Sequence, residues 1–219
     1  MSEGSVEEDG NGRQPEHSST DEPSTPRVLV ILALVLERLV TRNDQLESGY
    51  QLQLRNEETA AAAQGKNLKV FHGVRAPNIS IPKYLERIYK YSNCSPSCFV
   101  VGFIYIDRLI HRYPELLVVS LNVHRLLVTS VMVASKMLDD EHYNNEFYAK
   151  VGGVSNEELN RLEVELLFLL DFEVVVSSSV FETYCFHLET EMMRITMQKP
   201  LTFDLVDDLN DSIAEEDAT

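Results

Sequence analysis

The sequence predicts an all-α protein: a single helical bundle with an extra helix in front of it and a disordered acidic tail at each end. Three observations carry that reading. Apolar residues recur at three- and four-residue spacing from residue 80 to about 195, and only 173–176 offers a hint of strand alternation. Helix start and stop signals punctuate the chain at Thr25-Pro26, Ser95-Pro96, Tyr113-Pro114, Asn122, Gly152-Gly153 and Ser155. Acids gather at the ends: residues 1–25 hold seven acids and one Arg, and 200–219 hold seven acids and no base, so the stretch between carries only −3 of the net −16.

The elements follow in order. Residues 1–24 are rich in Ser, Glu, Asp, Gly and Pro and bury too little apolar surface to offset the entropy of ordering, so they are read as a disordered acidic tail. Thr25 and Pro26 open a helix over about 27–42, apolar around most of its circumference, which places it against a core. Residues 43–70 are polar, with an Ala run at 60–63, and receive no assigned structure; 71–79, with Gly73 and Pro77, reads as loop. Helices are then expected over 81–92, 97–112, 123–139, 145–151, 156–170 and 181–195. Pro114 stops the second of these. Gly152-Gly153 stops the fourth. Ser155 with Glu158 forms a capping box before the fifth. Pro200 ends the last, and 199–219 is a second acidic tail. The domain is therefore placed at 25–198, with no internal repeat.

Composition narrows the function. A nearly neutral core between acidic ends does not suit nucleic acid, which needs clustered Lys and Arg. The longest apolar run, 28–36, stops at Glu37-Arg38, well short of the ~20 residues that span a membrane. There is no apolar leader near Met1, and the three Cys are an odd number. Together these predict a reduced intracellular protein of the nucleus or cytoplasm, without membrane contact.

Three charges interrupt apolar helix faces. Asp107 shares its face with Val100, Phe103, Ile104 and Ile110, where a lone carboxylate is costly unless paired, so it is read as a structural group holding an ion-pair or cap contact. Glu163 sits among Leu159, Leu162, Leu166, Leu167 and Leu170, while Glu165 faces elsewhere as an ordinary solvated side chain. Lys136 interrupts a helix that is apolar nearly all round, near the end where a positive charge suits the helix dipole. Lys136 and Glu163 form a salt bridge internal to the domain, or simply snorkel to solvent, or make a charged pair at a patch that a partner covers. No cofactor or metal is expected. Cys94 and Cys98 lack the second pair that a zinc site needs, Cys185 with His187 is isolated, and no phosphate loop or nucleophile motif appears. The chain is not expected to be an enzyme.

The motifs go further as a set. Phe99-Val100-Val101-Gly102-Phe103-Ile104-Tyr105-Ile106-Asp107-Arg108-Leu109 resembles the second helix of a cyclin box, with its Tyr-Ile-Asp-Arg signature. Met132-Val133-Ala134-Ser135-Lys136 resembles the third helix, and Leu159-Asn160-Arg161-Leu162-Glu163, followed by Leu166, Leu167 and Asp171-Phe172, resembles the fifth. The stretch from Tyr84 to Tyr91, with Ser-Asn-Cys after it, resembles the plant P-type (U-type) cyclins, which are similar to fungal cyclins of the phosphate response. The resemblance covers about 71–191 and implies one cyclin box; too few residues follow for a second. It implies a regulatory subunit that binds and allosterically activates a cyclin-dependent kinase in cell-cycle or nutrient-linked control. Lys136 and Glu163 would then contact the kinase's C helix. Asp107 would pair with an Arg near the first helix of the box, although Arg75 and Arg87 both lie off the family's spacing. Two alternatives remain: a helical scaffold for a non-kinase partner, and a cyclin-like DNA-binding module, which the charge disfavours.

Overall fold

The computed structural model describes residues 25–54 and 68–198; the two acidic tails and the Ala run at 60–63 lie outside the described residues. Seven helices occur within them: α1 (Arg27–Leu54), α2 (Ile81–Ser92), α3 (Pro96–Arg112), α4 (Val123–Leu138), α5 (Asn145–Gly152), α6 (Asn156–Leu169) and α7 (Ser178–Gln198). No strand occurs among the described residues. α4 is the hub, packed against α2, α3, α5 and α6, and α1 and α7 lie together on the α3 side. α4 is buried from Val123 to Ser135 apart from Arg125, as its largely apolar sequence requires. Its approach to α3 is close: a Cβ at Gly102 would stand 3.1 Å from the Val131 nitrogen, so a larger residue there would press the two helices apart by a few tenths of an ångström.

Most helix bounds match the sequence to within a residue or two. α1 is the large exception, running twelve residues past the expected end at Arg42. Its first half buries Leu29, Leu32, Ala33, Leu36 and Val40, one face at helical spacing. Beyond Val40, polar contacts take over. Asn43 is buried and donates to the Val118 carbonyl at 2.9 Å, and the Asp44 carboxylate accepts from Ser120 N at 3.0 Å and Ser120 Oγ at 2.5 Å. Hydrophobic periodicity carries no trace of such fastening. A 3-10 turn, Leu68–Phe71, ends the unassigned stretch and leads into the one read as loop, driving Phe71 fully into the core.

The caps divide into two kinds. Asn144 and Ser155 cap as oxygen acceptors, from Phe147 N and Glu158 N, each at 3.0 Å. The capping box is only half made, because the Glu158 carboxylate turns instead to Arg125 Nε at 2.6 Å. Ser95 and Asn122 stand at N-cap positions without capping. Asn122 locks the preceding turn, accepting from Val119 N at 2.9 Å and donating to the Leu117 carbonyl at 2.8 Å.

Residues 173–176 are not a strand. Their carbonyls are taken by side chains of α3: Tyr105 Oη donates to Val174 O at 2.7 Å, and Arg108 donates to Glu173 O at 2.6 Å and Val175 O at 3.3 Å. The chain reaches this path through a turn in which Asp171 and Phe172 both take left-handed angles (φ 55° and 59°). Two such non-glycine residues in succession are costly. The turn is held by Asp171 N to Phe168 O at 3.1 Å and Phe172 N to Leu167 O at 2.9 Å.

Candidate functional site

α4 and α6 cross so that Lys136, near the end of one, meets Glu163, on the third turn of the other. Nζ lies 2.5 Å from Glu163 Oε1. The N-terminus of α5 completes the arrangement with Asn145: its Oδ1 accepts from Lys136 Nζ at 2.6 Å, and its Nδ2 donates to Glu163 Oε2 at 2.6 Å and to Asn160 Oδ1 at 2.7 Å. Three helices thus contribute to one closed ring of charge-assisted hydrogen bonds. The side chains of Lys136 and Glu163 remain 27% and 18% exposed, so the ring sits in the surface rather than beneath it.

The valences left over define what the ring can do. An ammonium has three N–H donors, and two are used here. Each carboxylate oxygen of Glu163 accepts one bond and keeps room for another. One donor and room at two acceptor oxygens are therefore left in a pair that is itself part-exposed. Exposed apolar side chains stand on the same helices and the connection between them. Met137 and Leu138 end α4 at 48% and 46% exposure, and Val164 and Phe168 project from the α6 face that also bears Asn160. Tyr143 and Phe147 stack at 3.9 Å, and Phe168 meets Phe172 edge-on at 5.2 Å. A fixed polar centre within exposed aromatic and aliphatic side chains has the composition of a protein-docking surface.

Sequence reading brought Lys136 and Glu163 forward but missed Asn145 and Asn160. Asn145 stands at a helix start, where asparagine is common for local reasons, and nothing in the local pattern marks it as a bridge. Glu165 is half-buried rather than fully solvated.

Asp107 lies away from this surface, and among the described residues no arginine forms an ion pair with it. Its side chain is 27% exposed, accepts from Tyr184 Oη of α7 at 2.6 Å and stands 3.3 Å from His111 Nδ1. Burial first, and the Asp107 hydrogen bond second, push the Tyr184 phenol up to about 12. Arg87 is engaged elsewhere, donating to the Val151 and Lys150 carbonyls at the end of α5 at 2.8 and 3.4 Å. The Tyr-Ile-Asp-Arg stretch is thus a fastening: Tyr105 and Arg108 hold 173–175, and Asp107 holds α7.

The thiols of Cys94 and Cys98 are both buried. Cys98 Sγ donates to Asp139 Oδ2 at 3.2 Å, and Ser92 Oγ donates to Cys94 Sγ at 3.1 Å. Among the described residues no group of three or more His, Cys, Asp or Glu is placed to hold a metal ion, and no helix is long and apolar enough to cross a membrane.

A family model described as Cyclin matches residues 26–174. Cyclin-U1-1 of Arabidopsis thaliana is 64% identical over 174 residues, covering 80% of this chain and 78% of that protein. Cyclin-U4-1 of the same plant is 47% identical over 180 residues, 82% of each chain. Cyclin-P3-1 of Oryza sativa subsp. japonica is 46% identical over 176 residues, covering 80% of this chain and 69% of that protein. With the helical box and its signature residues in place, these likenesses show that the chain belongs to the cyclin family, within the plant U-type and P-type group.

Proposed function

We propose that this chain binds a cyclin-dependent protein kinase and activates it allosterically, using the surface built around Lys136, Asn145 and Glu163. Membership of the cyclin family implies a role in regulating such kinases in general. The finer reading rests on one observation: a closed polar ring from three helices, left part-exposed and flanked by exposed apolar side chains. A bridge serving the fold alone has no need of that setting.

The mechanism is differential binding. The ring's remaining donor and acceptors engage polar groups of the kinase's C helix, and the apolar flank packs beside them. Turning that helix inward completes the kinase's own Lys–Glu ion pair and frees its activation loop. The cyclin supplies affinity for the active arrangement and no catalytic group. Activation comes from the kinase state that this surface prefers.

Calorimetric titration of a purified plant cyclin-dependent kinase into the chain, beside a phosphorylation assay, tests the proposal. Saturable binding with a rise in kinase activity is expected, and both should fail in Lys136→Ala while its helical circular dichroism persists. Binding without activation, or binding indifferent to Lys136, would favour a scaffold for another partner.

A further inference from the structure

A hydroxyl that accepts a phosphoryl group must be seated in a kinase cleft, and a proline after it marks one kind of seat. Proline has no backbone N–H, so a cleft that offers no acceptor at that position takes proline where any other residue would leave a donor unpaired. Serine or threonine precedes proline twice in this chain, at Thr25-Pro26 and at Ser95-Pro96. The fold treats the two differently.

Ser95 is fastened at three points. Its backbone N donates to Asp139 Oδ2 at 3.2 Å, its carbonyl accepts from Cys98 N at 3.0 Å, and its hydroxyl lies 3.4 Å from Sγ of the fully buried Cys98. Pro96 is already the first residue of α3, so seating Ser95 in a cleft means pulling the start of that helix off the domain. Thr25 and Pro26 instead precede the first helical residue of α1, Arg27, and stand on non-helical backbone. The Thr25 hydroxyl makes a long contact with Glu86 Oε1, 3.4 Å, in exposed surroundings. That lies beyond the ordinary O–H···O range, so releasing it costs little. The Pro26 carbonyl accepts from Leu29 N at 2.9 Å, a first-turn bond of the kind that opens readily at helix ends.

We propose that Thr25 is a phosphorylation site for a proline-directed serine/threonine kinase. Its Oγ attacks the γ-phosphorus of magnesium ATP. The Oγ–P bond forms as the bond from that phosphorus to the bridging oxygen breaks, ADP leaves with the electron pair, and the hydroxyl proton passes to the kinase's catalytic aspartate. The product sits at the positive end of a 28-residue helix, which favours an anion, and Glu86 is exposed and has room to turn away. This site is independent of the kinase-docking reading and shares no residue with it.

The test incubates the full chain with an active plant mitogen-activated protein kinase and magnesium ATP, beside a synthetic peptide of residues 19–31. Intact mass counts the phosphate and fragmentation places it. One phosphate per chain, on Thr25, is expected, at a rate within about tenfold of the peptide's, because opening at a helix start costs little. Thr25→Ala and Pro26→Ala, each at a non-helical position, should lose it while their circular dichroism stays helical. Lys136→Ala should be phosphorylated at the wild-type rate, so failure of the docking surface and failure of this site read out separately; a slowed Lys136→Ala would overturn their independence. Phosphate on Ser95 or on a residue not followed by proline, an unchanged signal in Thr25→Ala or Pro26→Ala, a larger deficit against the peptide, or no phosphate in either chain or peptide would each overturn the assignment.

Discussion

Exchanging Lys136 and Glu163 separates the two roles that a surface salt bridge can have. Either single alanine variant removes the 2.5 Å contact and one link to Asn145, leaving the partner charge half-buried. Charge-assisted bonds of this kind contribute ~1.5–3 kcal/mol when buried. Exposures of 27% and 18% bring the expected loss down to about 1–2 kcal/mol. For a domain of this size that lowers the melting temperature by about 3–6 °C. In Lys136→Glu/Glu163→Lys the internal pair re-forms with reversed polarity. Asn145 flips its amide to present nitrogen to the new carboxylate and oxygen to the new ammonium, and Asn160 flips with it so that its nitrogen donates to the Asn145 oxygen. Stability should therefore return to within about 0.5 kcal/mol of wild type. A kinase reading these charges meets the wrong sign at both positions. Losing such contacts costs ~2–5 kcal/mol, or roughly 30- to several-thousand-fold in affinity. Circular dichroism melts and calorimetric titration of the kinase, on both single variants and the exchange, decide the matter. A stable exchange variant that binds the kinase with wild-type affinity would refute the docking role and leave the ring a structural bridge.

Three further predictions concern the fold. Asp107→Ala and Tyr184→Phe should each cost about 1.5–2 kcal/mol in urea unfolding, less than a buried ion pair would, and the double variant should cost little more than either one, because both remove the same 2.6 Å bond. Burial depresses His72 and His124 in the folded state, so stability is present above their unfolded pKa near 6.5 and lost as pH falls through the folded values. The melting temperature should fall from pH 7.5 to 5.5, with a shallower slope in His124→Gln, which keeps a donor for Ile79 O; equal slopes would contradict the burial argument. Removal of 1–24 and 199–219 should change the melting temperature by less than about 2 °C and leave kinase affinity unchanged; a larger drop would move the domain boundary.

What could be read from the sequence was what depends on near neighbours along the chain. The helical periodicity of α2 to α6, the Ser155 cap and the Gly152-Gly153 stop all express interactions within four residues of themselves. Lys136 and Glu163 could be singled out because a charge on an apolar helix face is anomalous in one dimension. Their meeting could not, since 27 residues separate them and only the α4–α6 crossing brings them to 2.5 Å. Asn145 was invisible as the third member because its amide looks locally like any polar group at a helix start. Asn43 and Asp44 prolong α1 through contacts 75 and 76 residues away, which no local pattern records. The hydroxyl of Tyr105 and the guanidinium of Arg108 claim the carbonyls of 173–175 from 65 to 69 residues away, turning a possible strand into a strap. The sequence by itself determined which segments coil, because coiling is decided by bonds and faces one turn apart. Tertiary structure decided which polar groups meet, because a buried donor takes whichever acceptor the folded helices bring to it.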